Sequence, residues 1–202
     1  MDRVARRSHV LDCARRVFGH KGYHATSISD IIKEAGIARG TFYLYFDAKR
    51  AIFDELLDGF FQRIDGCIQR VDPAKDTVAV MQQLIANVQR ILDLLSSDQE
   101  MTRIVLHEAE GLDARFDQKL DDFYRRIVGQ IEASLGLGVE MGLLRRTGMH
   151  LAALSILGAI KELMSRGPSG FENPEARHEA AVEMLRLFWA GLANPDLNRM
   201  LP

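Results

Sequence analysis

The stretch Phe18–Leu57 decides the fold of this chain, and it reads FGHKGYHATSISDIIKEAGIARGTFYLYFDAKRAIFDELL. Its apolar residues recur every three or four positions, which is the period of an amphipathic helix. Thr26 or Ser27 can cap a short helix that stops at Gly36, and Gly36 can supply a turn with positive φ. A second short helix follows over about residues 38–46. Two short helices joined by such a turn predict a helix-turn-helix.

The second of these helices has two unlike faces. At 100° per residue, Phe42 and Phe46 share one side, and the opposite side carries Gly40, Thr41, Tyr43 and Leu44. That outward face is flanked by Arg39 and Tyr45, and it exposes apolar and aromatic groups that water solvates poorly. It suits a helix in the major groove of DNA, where a glycine allows close approach and Arg39 or Thr41 can reach base edges. An ordinary pair of core helices is the alternative.

The remainder of the chain also has helical periodicity, and no segment resembles a strand. A long helix is expected after Asp47, an eighth over roughly 148–165 that stops at Gly167-Pro168, and a ninth that Asn173 caps with Pro174 in its first turn. The pattern predicts an all-α protein of about nine helices. Residues 1–50 are expected to form a three-helix DNA-binding domain, and residues 51–202 a larger helical domain for effector binding and dimerisation.

Charge divides the chain unevenly. Residues 1–50 carry a balance of +5 and residues 51–202 a balance of −7, within a total of −2. A basic module joined to an acidic one indicates that the first faces a polyanion. Cys13 and Cys67 lie in apolar helical stretches and are expected to be buried thiols. Because neither a signal sequence nor a run of transmembrane length is found, we expect a cytoplasmic protein without a membrane partner.

The quoted stretch resembles the DNA-binding domain of the TetR (tetracycline-repressor) family almost residue for residue. The matching elements are F-x-x-x-G-Y, T-S-I-x-D-I, A-G-I-x-R-G-T-F-Y-x-Y-F and x-x-K-x-x-x-F. The resemblance is close over about the first quarter of the chain, and beyond it only helix number and length are similar. It implies a repressor that binds palindromic operator DNA as a homodimer and is released by a small, largely apolar effector. The alternative is a DNA-binding protein of the same fold without such an effector, which acts in nucleoid organisation or under a protein partner.

The resemblance also implies the residues that contact DNA. Contacts to backbone phosphates are expected from Thr26 or Ser27, Tyr43, Tyr45 and Lys49, and base-facing roles from Ala38, Arg39, Gly40, Thr41 and Leu44. Two positions depart from the family pattern. Ala38 stands where the family often has a hydroxyl residue, so the recognition helix lacks a hydroxyl cap. Leu44 stands where a polar residue is frequent, and it either packs on thymine methyl groups or leans on Tyr43.

The last two helices are apolar over a wide arc, so each needs a partner on more than one side. They are expected to form a two-fold, four-helix dimer interface through Leu154, Leu157, Gly158, Val182, Leu185, Phe188 and Trp189. The family resemblance further implies an effector pocket among the long helices. Its expected walls are Phe60, Met81, Leu84, Val88, Met101, Val105, Phe123 and Ile127, with His107 or Tyr124 as polar anchors. Each of these side chains has ordinary core packing as its alternative role.

Catalysis and metal binding find little support in the sequence. His107, Glu108 and Glu110 are the most metal-like group, but no second group of matched spacing completes a site. A nucleophile motif and a phosphate-binding glycine loop are both lacking. We therefore expect neither an enzyme nor a bound cofactor or metal. A helical enzyme or cofactor carrier with a coincidental N-terminal motif is the remaining hypothesis.

Overall fold

The computed structural model of the chain describes residues 2–108, 114–165 and 173–193. Within these ranges the protein is all-α, which confirms the prediction, and its only β feature is an isolated bridge between Leu144 and Ala193. The helices are α1 (Arg3–Lys21), α2 (Ile28–Ala35), α3 (Arg39–Tyr43), α4 (Lys49–Cys67), α5 (Thr77–Ser97), α6 (Gln99–Arg103), α7 (Ala114–Glu140), α8 (Met149–Ser165) and α9 (Pro174–Leu192). One π-helical turn, Ile104–Glu108, follows α6 directly.

Contacts divide the chain into two compact units. The first comprises Met1–Arg63 and Asp98–Asp117, and the second comprises Ile64–Ser97 and Gln118–Pro202. The division falls inside α4 and inside α7, so two helices contribute to both units. The predicted functional boundary at residue 50 concerns DNA binding rather than packing, and it stays a prediction.

The helix ends follow the local chemistry of the sequence. Ser27 caps α2 in a reciprocal capping box with Asp30, and Gly36 ends that helix with φ of 60°. Asn173 caps α9 through the Ala176 N–H at 2.8 Å, with Pro174 in the first turn, as predicted. The third helix is shorter than expected: it ends at Tyr43, and a turn leads to Phe46.

Aromatic side chains form the core of the first unit. The rings of Phe18 and Phe116 each lie edge-on to the ring of Phe53, at centroid distances of 5.3 and 5.1 Å. The Tyr23 ring lies 4.5 Å from the same Phe53 ring. Edge-to-face packing of this kind adds to the free energy gained by burying the rings. It holds α1, α4 and the first turn of α7 around one centre.

The described residues of the second unit form two apolar clusters. One contains Val71, Val80, Leu143, Trp189 and Ala193, and the other contains Val128, Leu135 and Ala153. These clusters join residues of α5, α7, α8 and α9. Among the described residues, no helix has both the length and the apolar character needed to cross a membrane.

Candidate nucleic-acid interface

The interface is built on α1 and α2, which support α3. The Gly36 N–H donates to the carbonyls of Ile32 and Lys33, and its positive φ turns the chain towards α3. A ring nitrogen of His9 on α1 lies 3.1 Å from the Ala35 carbonyl, and Arg16 donates to Glu34 at 3.1 Å. The end of α2 is thus attached to α1 at two points, and α3 starts from a defined position.

The inner face of α3 is anchored by two buried phenylalanines. Phe42 is fully buried and Phe46 nearly so, with their rings 6.2 Å apart. The Arg7 guanidinium lies 4.7 Å from the centroid of the Phe46 ring and also pairs with both carboxylate oxygens of Glu55 on α4. Arg7 therefore ties α1 to α4 next to the recognition helix. The role of Arg7 could not be predicted from the sequence, because the contact joins positions 48 apart that share no local pattern.

The outer face of α3 is open, as its sequence pattern predicted. Ala38, Arg39 and Gly40 are exposed, Thr41 is half-buried, and Leu44 keeps 70% of its surface exposed. A Cβ added at Gly40 would meet no heavy atom within 4 Å, so packing inside the protein does not require a glycine there. The Arg39 guanidinium lies 6.0 Å from the Tyr43 ring centroid. This surface combines a cation, a phenol and an apolar tip around a residue without a side chain.

The N-terminus of α3 lacks a side-chain cap. Ala38 occupies the capping position with extended backbone and makes no side-chain hydrogen bond to the helix. A serine or threonine at this position would bind one of the first N–H groups of the helix. The sequence expectation that α3 lacks a hydroxyl cap is therefore met.

The residues predicted to contact phosphates lie in different environments. Thr26 is buried and its hydroxyl donates to the Gly22 carbonyl at 2.7 Å, whereas Ser27 is exposed at the start of α2. The Ser27 hydroxyl donates to the Asp30 carboxylate at 2.7 Å. Hydrogen bonds from Lys21 and then from Ser27 hold the pKa of Asp30 well below its usual range. Of the Thr26 and Ser27 alternatives, only the Ser27 side chain is accessible.

Lys49, at the first position of α4, braces the loop before α2. Its ammonium donates to the carbonyls of Tyr23 and Thr26, at 2.6 and 2.7 Å, and lies 4.2 Å from the Tyr23 ring centroid. Burial lowers the pKa of this ammonium. An ammonium has three N–H donors, and the two carbonyls take two of them. Lys49 therefore has one N–H donor beyond the two that brace the loop.

The predicted effector walls are distributed over both units. In the first unit, Phe60, Met101 and Val105 are buried. In the second, Phe123 and Ile127 are buried, and the half-buried positions are Met81, Leu84, Val88 and Tyr124. The Tyr124 ring packs against the Lys161 ammonium, with 4.0 Å between nitrogen and centroid. The side chains of His107 and Glu108, and all of Glu110, lie outside the described residues.

The predicted dimer residues differ in exposure. Gly158 is exposed and Leu154 is 44% exposed, while half-buried positions are Leu157, Val182, Leu185 and Phe188. Trp189 differs from the expectation, because it is buried in the apolar cluster of its own unit. Leu187, which the prediction did not include, is 74% exposed on α9, and Leu151 is 69% exposed on α8. The 3.6-residue period of the sequence indicates that α8 and α9 are apolar on more than one side. It does not tell which of those sides faces the core of their own unit.

An open recognition helix on a helix-turn-helix, followed by a helical remainder, defines the class of helical DNA-binding regulators. Residues 10–56 match the family described as "Bacterial regulatory proteins, tetR family". The chain is 26% identical over 161 residues to a fatty acid metabolism regulator protein of Bacillus subtilis, an alignment that covers 77% of this chain and 80% of the relative.

Solved structures share the fold. The fatty acid degradation regulator FadR from Bacillus halodurans superposes with a TM-score of 0.75 at 21% identity, over 95% of this chain and 98% of that one. FadR from Bacillus subtilis, solved in complex with stearoyl-CoA, gives 0.68 at 24% identity, over 91% and 98%. Residues 10–56 therefore carry the DNA-binding domain of the TetR family of transcriptional regulators, and the chain shares the fold of these solved regulators.

Proposed function

We propose that this regulator is a repressor that binds a palindromic operator as a homodimer and is released by an effector with a long apolar chain. The observation that carries the DNA-binding part is the outer face of α3, where Arg39, Gly40, Tyr43 and Leu44 are exposed while Phe42 and Phe46 anchor the helix. The major groove of B-DNA is wide enough to admit an α-helix and presents a distinct pattern for each base pair. We propose that the protein acts in the bacterial cytoplasm, where operator DNA lies.

The groups on α3 and on the segments next to it divide by chemistry into base readers and phosphate contacts. A guanidinium pairs with the O6 and N7 acceptors of guanine, and this is the role proposed for Arg39. The Thr41 hydroxyl is proposed to form a hydrogen bond with a base edge, either as donor or as acceptor. Leu44 offers methyl groups to a thymine methyl. Tyr43, Tyr45, Ser27 and Lys49 are proposed to donate to phosphates, which fixes the register of the helix without reading sequence.

Dimerisation is proposed through α8 and α9. Leu151, Leu154 and Gly158 are exposed at spacings of three and four residues, so they share one face of α8. Leu187 is the exposed large apolar residue of α9. Burying these leucines against a second copy would remove apolar surface from water at about 25 cal/mol per Å². A two-fold dimer also matches the symmetry of a palindromic operator.

The effector class is proposed from the relatives and from the apolar side chains. The Bacillus subtilis relative regulates fatty acid metabolism, and the Bacillus subtilis FadR structure holds stearoyl-CoA. The side chains expected to line the pocket are aliphatic, aromatic or methionine, and methionines adapt readily to a flexible chain. A fatty acyl-CoA is therefore the proposed effector class.

Operator binding and release are tested together by fluorescence anisotropy. A duplex selected from random DNA by the purified protein is titrated, and stearoyl-CoA is then added, with free CoA as the control. Release by stearoyl-CoA alone, with a melting temperature raised by the same compound, is the expected result. Tight operator binding without release or thermal shift by acyl compounds would favour the alternative, a regulator of the same fold without a small-molecule effector.

A further inference from the structure

Trp189 of α9 carries a buried hydrogen-bond donor. Only 7% of the residue is exposed, and within the described part of the chain no group accepts a hydrogen bond from its Nε1 atom. An indole N–H can only donate. Leaving it unpaired in the interior costs free energy, and for this reason buried tryptophans usually have an acceptor. An orphaned donor of this kind indicates a place where a ligand with an acceptor oxygen can bind.

The surroundings of Trp189 fit an apolar chain. The Trp189 cluster consists of Trp189 with Val71, Val80, Leu143 and Ala193. The apolar side chains that pack against it are only partly buried, and they are Met81, Leu84, Leu137, Met141 and Leu144. Met81 and Leu84 are two of the expected effector walls. Methionine side chains adapt their shape readily, so Met81 and Met141 can move aside for a ligand.

Arg145 places a positive charge at the edge of the Trp189 cluster. It follows Leu144, which packs against the cluster, and its backbone N–H donates to the Leu192 carbonyl at 2.9 Å. Its guanidinium donates twice to the Gly191 carbonyl, from Nε at 2.9 Å and from Nη2 at 2.7 Å. These bonds use two of the five N–H donors of a guanidinium. Arg145 is exposed and forms no ion pair with any described residue, so its remaining donors can bind an anion.

We infer that Trp189 and Arg145 hold the polar end of an anionic amphiphile, with an acceptor oxygen on the indole N–H and an anionic group on the guanidinium. The inference rests on the proposed function, since it assigns the residues that bind the polar end of the proposed effector. In a fatty acyl-CoA the acceptor is a carbonyl of the thioester or of the arm beyond it, and the anion is a phosphate. In a free fatty acid one carboxylate serves both groups. A neutral hydrocarbon would leave the indole N–H unpaired, so the site selects against it.

Two substitutions test the two groups separately. Trp189→Phe removes the N–H and keeps an aromatic ring, and we expect the affinity for stearoyl-CoA to fall at least about tenfold while cooperative melting persists. A merely structural role would lower the melting temperature and leave the affinity of the folded protein unchanged. Arg145→Gln removes the charge and keeps a donor for the Gly191 carbonyl. It should also weaken stearoyl-CoA binding at least about tenfold, by an amount that shrinks as salt is added.

Arg186→Gln is the matched control for the charge. Arg186 is an exposed arginine of α9 that pairs with Glu183 at 2.9 Å. Its substitution should leave the affinity for stearoyl-CoA unchanged. Isothermal titration calorimetry gives the affinity of every variant, and a melting curve of each variant shows whether it folds.

The fluorescence of Trp189 gives a direct measurement, because it is the only tryptophan of the chain. Stearoyl-CoA should change the emission of the wild-type protein in proportion to the bound fraction, whereas free CoA at the same concentration should not. Stearate is the second probe. The same change with stearate would assign the carboxylate of a free fatty acid to this site, and a change with stearoyl-CoA alone would assign the polar groups of the acyl-CoA.

The inference and the proposed function fail in different ways. Wild-type affinity for stearoyl-CoA in either folded variant overturns the inference, and so does an unchanged Trp189 emission at saturating stearoyl-CoA. The proposed function stands in both cases if stearoyl-CoA still releases the operator. If Trp189→Phe loses cooperative melting, Arg145→Gln and the emission decide. A wild-type protein that binds the operator but neither stearoyl-CoA nor stearate would refute the proposed effector class and the inference together.

Discussion

Gly40 offers the sharpest test of the proposed DNA contact. A Cβ at this position would meet no heavy atom within 4 Å, and the backbone φ is not positive, so Gly40→Ala fits the fold without strain. Alanine is more favourable than glycine inside a helix by about 0.5–1 kcal/mol. We therefore expect the melting temperature of the free protein to stay unchanged or to rise.

Operator binding is expected to change in the opposite direction. If α3 enters the groove with Gly40 against the base edges, a methyl group there forces the helix outwards and lengthens the contacts of its neighbours. We expect operator affinity to fall at least tenfold, which is about 1.4 kcal/mol, and to fall further in Gly40→Leu. Fluorescence anisotropy at one fixed salt concentration, with melting curves for each variant, measures both quantities.

Gly59 provides the matched control. It is an exposed glycine of α4, and a Cβ added there also meets no heavy atom within 4 Å. Gly59→Ala should give the same gain in helix stability with wild-type operator affinity. If Gly40→Ala and Gly40→Leu both bind the operator as tightly as wild type, α3 does not approach DNA at Gly40, and the proposed recognition face is refuted.

The remaining predictions concern charge, symmetry and the effector. Lys49→Met should weaken binding to operator and to random DNA alike and lower the slope of log affinity against log salt by about one unit. It should also lower the melting temperature, because the hydrogen bonds of Lys49 to the loop before α2 are lost. An unchanged slope would leave Lys49 with this structural role alone. Arg39→Ala should cost about 1–3 kcal/mol on the operator and relax selection at one base pair, whereas equal loss on random DNA would mark a phosphate contact. Leu154→Glu should give monomers, measured by light scattering, whereas Val78→Glu, at another exposed apolar residue, should leave the dimer intact. A wild-type protein that is monomeric at micromolar concentration would contradict the proposed dimer. Phe123→Trp should retain operator affinity and lose release by stearoyl-CoA, and loss of cooperative melting would instead assign this residue to the core.

Local sequence patterns predicted much of the structure of the DNA-binding region. Ser27 as a cap and Gly36 as a left-handed residue follow from what each side chain and its neighbours permit within one turn. The burial of Phe42 and Phe46 follows from their spacing of four residues, which places both on one side of a helix. This spacing can be recognised in the sequence without knowledge of the rest of the fold. The exposed face of α3 was predictable for the same reason.

The sequence by itself determined the all-α class, most helix ends and the exposed face of α3, because each depends on residues within about four positions. The tertiary structure alone decided which wide apolar helix face is inner, and it buried Trp189 while leaving Leu187 exposed. It also decided that Lys49 reaches two loop carbonyls and that Asp98 meets Arg15, 83 positions away, and Arg63, 35 positions away. A charged side chain can pair with any opposite charge that folding brings near it. Its partner is therefore set by the packing of whole helices and not by the spacing of residues along the chain.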